Sequence, residues 1–168
     1  MDTGLAGKKV VVMGLGRFGG GVDVVQYASR AGARVVVTDK TTPEKLGDSL
    51  AQLRGLPDIE YRLGRHESED FVTADVVVAN PAVPPDNEFL QMARRAGRLV
   101  TSQVGLFFQS CPAPIIGITG ANGKSTTTTL AAHLLERARP PASPRPYEQV
   151  WLSGNIGDRP LLTILDRI

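Results

Sequence analysis

The chain of 168 residues carries 19 Lys and Arg against 17 Asp and Glu, a formal net charge of +2, with 42% hydrophobic residues; this is globular composition for one or two domains and excludes wholesale disorder. No basic run makes a nucleic-acid stripe, the single cysteine Cys111 excludes an internal disulfide and a Cys-rich zinc site, and His66 and His133 lie too far apart for metal-ligand spacing. No apolar run nears the roughly 18 residues of a membrane span and the polar start shows no signal-peptide pattern, so a cytoplasmic protein is expected.

Residues 8–13 (KKVVVM) are an almost continuous apolar run, the pattern of a strand buried on both faces of a parallel sheet. Residues 14–21 follow, with five glycines in eight positions. Residues 22–31 read as a helix, with Val22, Val24, Val25, Ala28 and Ala31 on a mixed spacing of three and four and Gly32 as the stop. Residues 34–38 make a second strand and complete a β-α-β unit, whose crossover is expected to be right-handed. Thr42 and Pro43 look like an N-cap and first-turn proline for a helix running to about Arg54 and ended by Gly55. Residues 59–63 and 75–79 are a third and a fourth strand, 80–85 a proline-stiffened loop, 87–96 a helix closed by Gly97, and 99–101 a short fifth strand. Strands alternating with helices at this spacing predict an α/β fold with a Rossmann-like, mostly parallel sheet.

A second unit starts near residue 102. Residues 104–108 read as helical, 115–119 (IIGIT) as a strand, 120–124 as a glycine-bearing loop and 125–138 as a helix. Residues 139–146 (RPPASPRP) hold four prolines in eight positions and read as an extended surface loop. Residues 150–152 read as a strand, 154–157 (GNIG) as a turn and 160–168 as the start of a helix. Two strands, two helices and the start of a third are too few for a complete phosphate-loop sheet. The expected organisation is therefore a domain over 1–101 and the truncated start of a P-loop α/β domain over 102–168.

Two motifs carry chemistry. Gly14-Leu15-Gly16-Arg17-Phe18-Gly19 is a G-x-G-x-x-G between a strand and a helix. Its glycines permit a tight turn and close approach to a pyrophosphate, and the helix N-terminus offers free N–H groups. Asp39, 20 residues beyond Gly19, ends the second strand, where an acid accepts from a ribose or base edge. NAD, FAD and UDP-sugars all fit this pattern. Thr119-Gly120-Ala121-Asn122-Gly123-Lys124-Ser125-Thr126 follows a strand and opens a helix, as a phosphate loop does. There the backbone N–H groups would cradle ATP phosphates, Lys124 would reach the β- and γ-phosphates, and Ser125 would ligate Mg²⁺. The early Walker glycine is replaced by Ile118. Elsewhere, His66 is expected at the surface, His133 solvated or packed, Trp151 in the core and Cys111 buried at the domain junction.

The loop at 119–126 resembles the T-G-x-N-G-K-[ST] loop of the Mur ligase superfamily, which lacks the early glycine. The G-N-I-G element at 154–157, the G-L-G-x-x-G loop, V-T-D at 37–39 and A-N-P-A-V-P at 79–84 also resemble that superfamily, in the same order. The resemblance implies an ATP-dependent amide ligase of peptidoglycan precursor synthesis. Within the superfamily it is similar to the branch that joins D-glutamate to UDP-N-acetylmuramoyl-L-alanine through an acyl phosphate, with ATP and Mg²⁺ and as a monomer when full length. It places Leu15, Gly16, Arg17 and Phe18 in the loop that meets the UDP moiety, Asp39 and Lys40 at the uridine, and Asn80, Pro81 and Ala82 near the uracil. It places Gly120, Ala121, Asn122, Gly123, Lys124, Ser125 and Thr126 on the ATP phosphates, Ser125 on the metal, and Asn155 on the UDP-sugar; Lys124 and Asn155 are the residues implied in catalysis. Arg17 and Phe18 are bulkier than the family's small residues, and Ala82 stands for a glycine. The remaining catalytic groups of the family have no counterpart here, so the chain alone is expected to be an inactive N-terminal piece. A nicotinamide- or flavin-dependent oxidoreductase and a non-catalytic nucleotide-binding module stay open as alternatives.

Overall fold

The computed structural model describes residues 4–16, 19–138, 149–154 and 160–168. Five strands form one all-parallel sheet in the order β3-β2-β1-β4-β5. They are β1 (Lys9–Met13), β2 (Arg34–Asp39), β3 (Ile59–Leu63), β4 (Val76–Ala79) and β5 (Leu99–Thr101). β1 pairs with β2 in the register Val10↔Val35 and with β4 in the register Val10↔Val76. The expected strands of this unit are therefore present, in a Rossmann-like α/β arrangement.

The valine runs explain why β1, β2 and β4 lie inside. Successive side chains of a strand point to opposite faces. Val10, Val12, Val35, Val37, Val76 and Val78 belong to one apolar cluster, and Val11, Met13, Val36 and Val77 to the other. Both faces are covered, so both phases of each run must be apolar. Each fully buried valine contributes about 1.5–3 kcal/mol relative to an exposed one.

The helix α1 (Gly20–Arg30) covers the first face with Val22, Val25 and Ala28. Gly32, in left-handed backbone at φ 74, follows its last turn as expected. On the second face lie α3 (Ser68–Thr73), anchored by the fully buried Phe71, and α4 (Glu88–Arg95), which buries Leu90 and Ala93. The N-cap Asn87 of α4 accepts from Phe89 N at 3.0 Å.

Several expectations are corrected. The single helix expected over 42–54 is a 3-10 turn (Pro43–Leu46) followed by α2 (Gly47–Ala51); Gly47 sits at the break, where glycine weakens a helix. The short α3 was not expected; its one anchor, Phe71, is too little apolar pattern to signal a helix. In the second unit, α5 (Gln103–Ser110) and α6 (Lys124–Arg137) are helices as expected. The strands expected over 115–119 and 150–152 are not formed. Neither has a ladder partner among the described residues, and an isolated pair of strands is at best marginal. Residues 160–168 hold a 3-10 turn (Thr163–Arg167) where a helix was expected. That turn packs on the first face, with Leu162, Ile164 and Leu165 buried beside α1 and α5.

Candidate functional site at the strand-order switch

β1, β2 and β4 end side by side, and the chain reverses its direction of travel across the sheet between β1 and β4. In open α/β sheets the crevice beyond the carboxyl ends at such a switch point is where ligands sit. The residues singled out by the first motif converge there.

The loop from β1 leaves Met13 through Gly14 at φ 87 and Gly16 at φ 66, and enters α1 after Gly19 at φ 83. These are left-handed conformations that favour glycine. A Cβ on Gly14 would lie 2.9 Å from Asn80 Cβ, so the second requirement at this position is closeness. Asn80 begins the loop after β4. Its Nδ2 donates to Gly14 O at 3.2 Å, and its Oδ1 accepts from Ala82 N at 3.0 Å. Asn80 therefore fastens the β4 loop to the glycine loop, while Pro81 and Ala82 are exposed beside it.

Asp39 does the same from the other side. It is 8% exposed. Its Oδ2 accepts from Gly16 N at 3.2 Å and its Oδ1 from Thr41 N at 2.8 Å. Among the described residues each oxygen accepts one bond, and a carboxylate oxygen can accept a second from a ligand hydroxyl or N–H. Lys40, exposed, lines a depression of about 630 Å³ with Thr41, Thr42 and Lys45. Two lysines there suit an anionic or polar ligand.

Leu15 is fully buried in the apolar cluster on the α1 face, so it offers the crevice no surface. Arg17, Phe18 and Asn155, the other expected contacts, lie outside the described residues, as do the loop over 139–146 and most of the G-N-I-G turn.

Three supporting residues were not foreseen. Ser49 Oγ donates to Gly16 O at 2.8 Å from α2. Asp23, in α1, is a buried carboxylate. His66 is half-buried, a correction to the expected surface position. Its Nδ1 lies 2.6 Å from Thr38 Oγ1, and its ring meets Phe71 and Phe89 edge-on. Burial, and after it the Lys40 charge, hold its pKa below the ordinary 6.5, with Asp39 opposing. The signal for Asp23 was present: a lone acid between Val22 and Val24 on an apolar helix. Ser49 and His66 carry no such signal, because their partners are 33 and 28 residues away.

The second motif is placed differently. Residues 119–127 are exposed, and α6 buries none of its residues. Lys124 Nζ donates to Gly120 O at 2.6 Å and to Ala121 O at 3.3 Å, folded over its own loop. Gly123, at φ 75, is the N-cap, so the first N–H groups of α6 are open. Gly120, Ala121, Asn122, Gly123, Lys124, Ser125 and Thr126 thus lie together on one loop and the first turn of α6. Among the described residues, the strand expected to precede the loop is not formed and no second sheet is assembled around it. Among the described residues no three His, Cys, Asp or Glu side chains gather to hold a metal, and no helix is long and apolar enough to cross a membrane.

Residues 8–102 match the family model described as Mur ligase MurD-like, N-terminal domain. The UDP-N-acetylmuramoylalanine--D-glutamate ligase of Roseiflexus sp. (strain RS-1) is 48% identical over 136 residues, 81% of this chain and 29% of that protein. The ligase of the same name from Geobacter metallireducens is 40% identical over 162 residues, covering 96% and 33%. That from Treponema pallidum is 39% identical over 158 residues, covering 94% and 28%. The chain spans about a third of the length of these relatives. A solved pseudomurein peptide ligase type C from Methanothermus fervidus aligns at 22% identity with a TM-score of 0.46, over 77% of this chain and 26% of its own.

Proposed function

We propose a function from one premise: the chain belongs to the Mur ligase family, through its MurD-like N-terminal domain. The proposal is that residues 1–101 bind the UDP part of UDP-N-acetylmuramoyl-L-alanine, and that residues 102–168 begin the ATP-binding domain of a cytoplasmic ligase that adds D-glutamate. The observation that carries it is the convergence of the glycine loop, Asp39 and Asn80 at the switch point of the sheet.

In this reading the diphosphate lies against the N–H groups at the start of α1, with Arg17 and Phe18 in the loop around it. Asp39 and Lys40 receive the uridine, and Asn80, Pro81 and Ala82 bound the uracil side. Asn80 and Asp39 also hold the loop in the left-handed turns that bring its backbone close. Asn155 meets the sugar from the second unit.

The reaction proposed for the full-length enzyme is phosphoryl transfer followed by amide formation. An oxygen of the alanine carboxylate attacks the γ-phosphorus of ATP and ADP leaves. The amine of D-glutamate then attacks the acyl phosphate carbon, phosphate leaves and the ammonium proton is lost. The loop's contribution is positioning and charge neutralisation. Lys124 would exchange Gly120 O and Ala121 O for phosphate oxygens, and Ser125 would supply a hydroxyl to Mg²⁺. The open first turn of α6 and the glycines at 120 and 123 fit a phosphate chain.

Calorimetric titration of the chain with UDP-N-acetylmuramoyl-L-alanine, with NAD as control, tests the first half. Heat with the UDP-sugar and none with NAD is expected; binding of NAD alone would return the site to the oxidoreductases.

A further inference from the structure

Asp23 lies in the first turn of α1 and is 1% exposed. Its Oδ2 accepts from Gln103 Nε2 at 2.6 Å and from Leu162 N at 2.8 Å. Its Oδ1 accepts from Thr163 Oγ1 at 2.8 Å and from Thr163 N at 3.2 Å. Four donors from α5 and the C-terminal turn close on one buried carboxylate. Among the described residues no cation is paired with it. A buried charge persists only when its lone pairs are satisfied, and losing a partner leaves the desolvation cost exposed.

The place of this carboxylate matters more than its number of bonds. Half of the first turn of α1 is glycine, and its one apolar side chain, Val22, is buried in the core. Its N-cap, Gly19, makes no side-chain cap bond, and Gly20 and Gly21 follow. Gly21 is pressed onto the loop so closely that a Cβ would lie 2.2 Å from Leu15 O. A Cβ on Gly20 would lie 3.4 Å from Gln103 Oε1. The polar side chains that locate this turn are therefore Asp23 and Gln103. The same turn presents the N–H groups on which a diphosphate depends.

We propose that Asp23 is a positioning residue, which with Gln103 and Thr163 holds the first turn of α1 where its N–H groups receive the diphosphate of a uridine nucleotide. This rests on the nucleotide reading of the glycine loop above. It adds that affinity at that loop is set partly by a residue that touches no ligand and by a turn some 140 residues away, given sequence separations of 139 and 140.

The test is titration of the full chain and four variants with UDP-N-acetylmuramoyl-L-alanine, with hydrogen exchange of residues 160–168 followed in parallel. Asp23→Asn turns one acceptor into a donor and weakens binding roughly tenfold, the scale of one strong hydrogen bond. Thr163→Val removes only the hydroxyl and weakens binding by about threefold. Gln103→Glu sets a second carboxylate against Asp23, and two adjoining carboxylates resist double ionisation. Gln103 and Thr163 are the polar side chains facing Asp23 from α5 and the turn, and neither titrates in the parent. The variant's affinity relative to the parent at the same pH is therefore lowest at alkaline pH and recovers as the pair takes up a proton. Arg30→Ala, which breaks the exposed ion pair between α1 and Asp166, keeps the parent's affinity, because a pair so exposed contributes little. If Asp23→Asn fails to fold, Gln103→Glu and Thr163→Val decide the matter. Release of 160–168 to exchange with affinities equal to the parent's would overturn the proposal and leave Asp23 a strap. A parent that binds no UDP-sugar would overturn the nucleotide reading and this proposal with it.

Discussion

Asn80 and Gly14 approach each other across the ends of β4 and β1, with the asparagine amide donating to the glycine carbonyl at 3.2 Å. The same closeness leaves 2.9 Å between Asn80 Cβ and the position a Cβ on Gly14 would take. Gly14→Ala is therefore opposed twice, by left-handed backbone at about 1–2 kcal/mol and by overpacking at about 1–3 kcal/mol. Gly19→Ala meets no atom of the described residues within 4 Å and carries the backbone cost alone. Urea unfolding should rank Gly14→Ala below Gly19→Ala in midpoint. Equal midpoints would mean that Asn80 gives way freely.

Asp39 and Lys124 separate the two halves of the proposed function. Asp39→Ala removes the acceptor of Gly16 N and Thr41 N as well as the ligand's partner. It is expected to weaken UDP-sugar binding by roughly 1–3 kcal/mol. Lys124→Ala leaves that binding unchanged, because among the described residues Lys124 bonds to its own loop. Parent-like binding by both variants would remove Asp39 from the site. Incubation of the chain with ATP, Mg²⁺, UDP-N-acetylmuramoyl-L-alanine and D-glutamate should form no ADP, since α6 lacks the sheet that would fix its loop.

His66 gives the domain an acid-side sensitivity. Its folded pKa lies below the ordinary 6.5, chiefly because its ring is half-buried against Phe71 and Phe89. As pH falls, the unfolded chain takes up this proton first. The stability contributed by neutral His66 is thus full above about pH 6.5 and is lost as pH falls through the folded value. His66→Leu should flatten the melting temperature between about pH 7 and pH 5. A variant whose melting temperature falls as steeply as the parent's would assign that loss to other groups.

Stability is expected to be unequal along the chain. β1 and β4 are sealed between two layers, whereas α6 is 14 residues long and buries none of them. A helix of that length is marginal in water without a packed face. Native-state hydrogen exchange should show full protection in β1 and β4 and little in α6. Protection of α6 at the level of β1 would reveal a covered face on Leu130 and Leu134, which are 55% and 59% exposed here.

Much of the first domain was legible because its signals are local and redundant. The runs VVVM, RVVVTD and VVVA announce strands buried on both faces, and glycines stand where the chain must turn left-handed. Asp39 could be read from its distance to the glycine loop. What stayed hidden was made by partners distant in sequence: Thr38 with His66, Ser49 with Gly16, Asp23 with Thr163. The strands expected over 115–119 and 150–152 failed for the converse reason. Their apolar pattern is real, but a strand needs a neighbour.

The sheet order also has a consequence for assembly at the ribosome. β1 emerges first but lies in the middle, and one of its two neighbours, β4, begins only at Val76. Synthesis runs at about 5–20 residues per second, so the central strand waits several seconds with one side open. Asp23 waits longer still, since two of its donors belong to Thr163. The clasp, like the Arg30–Asp166 pair of the same helix, closes only on a chain translated as far as that turn.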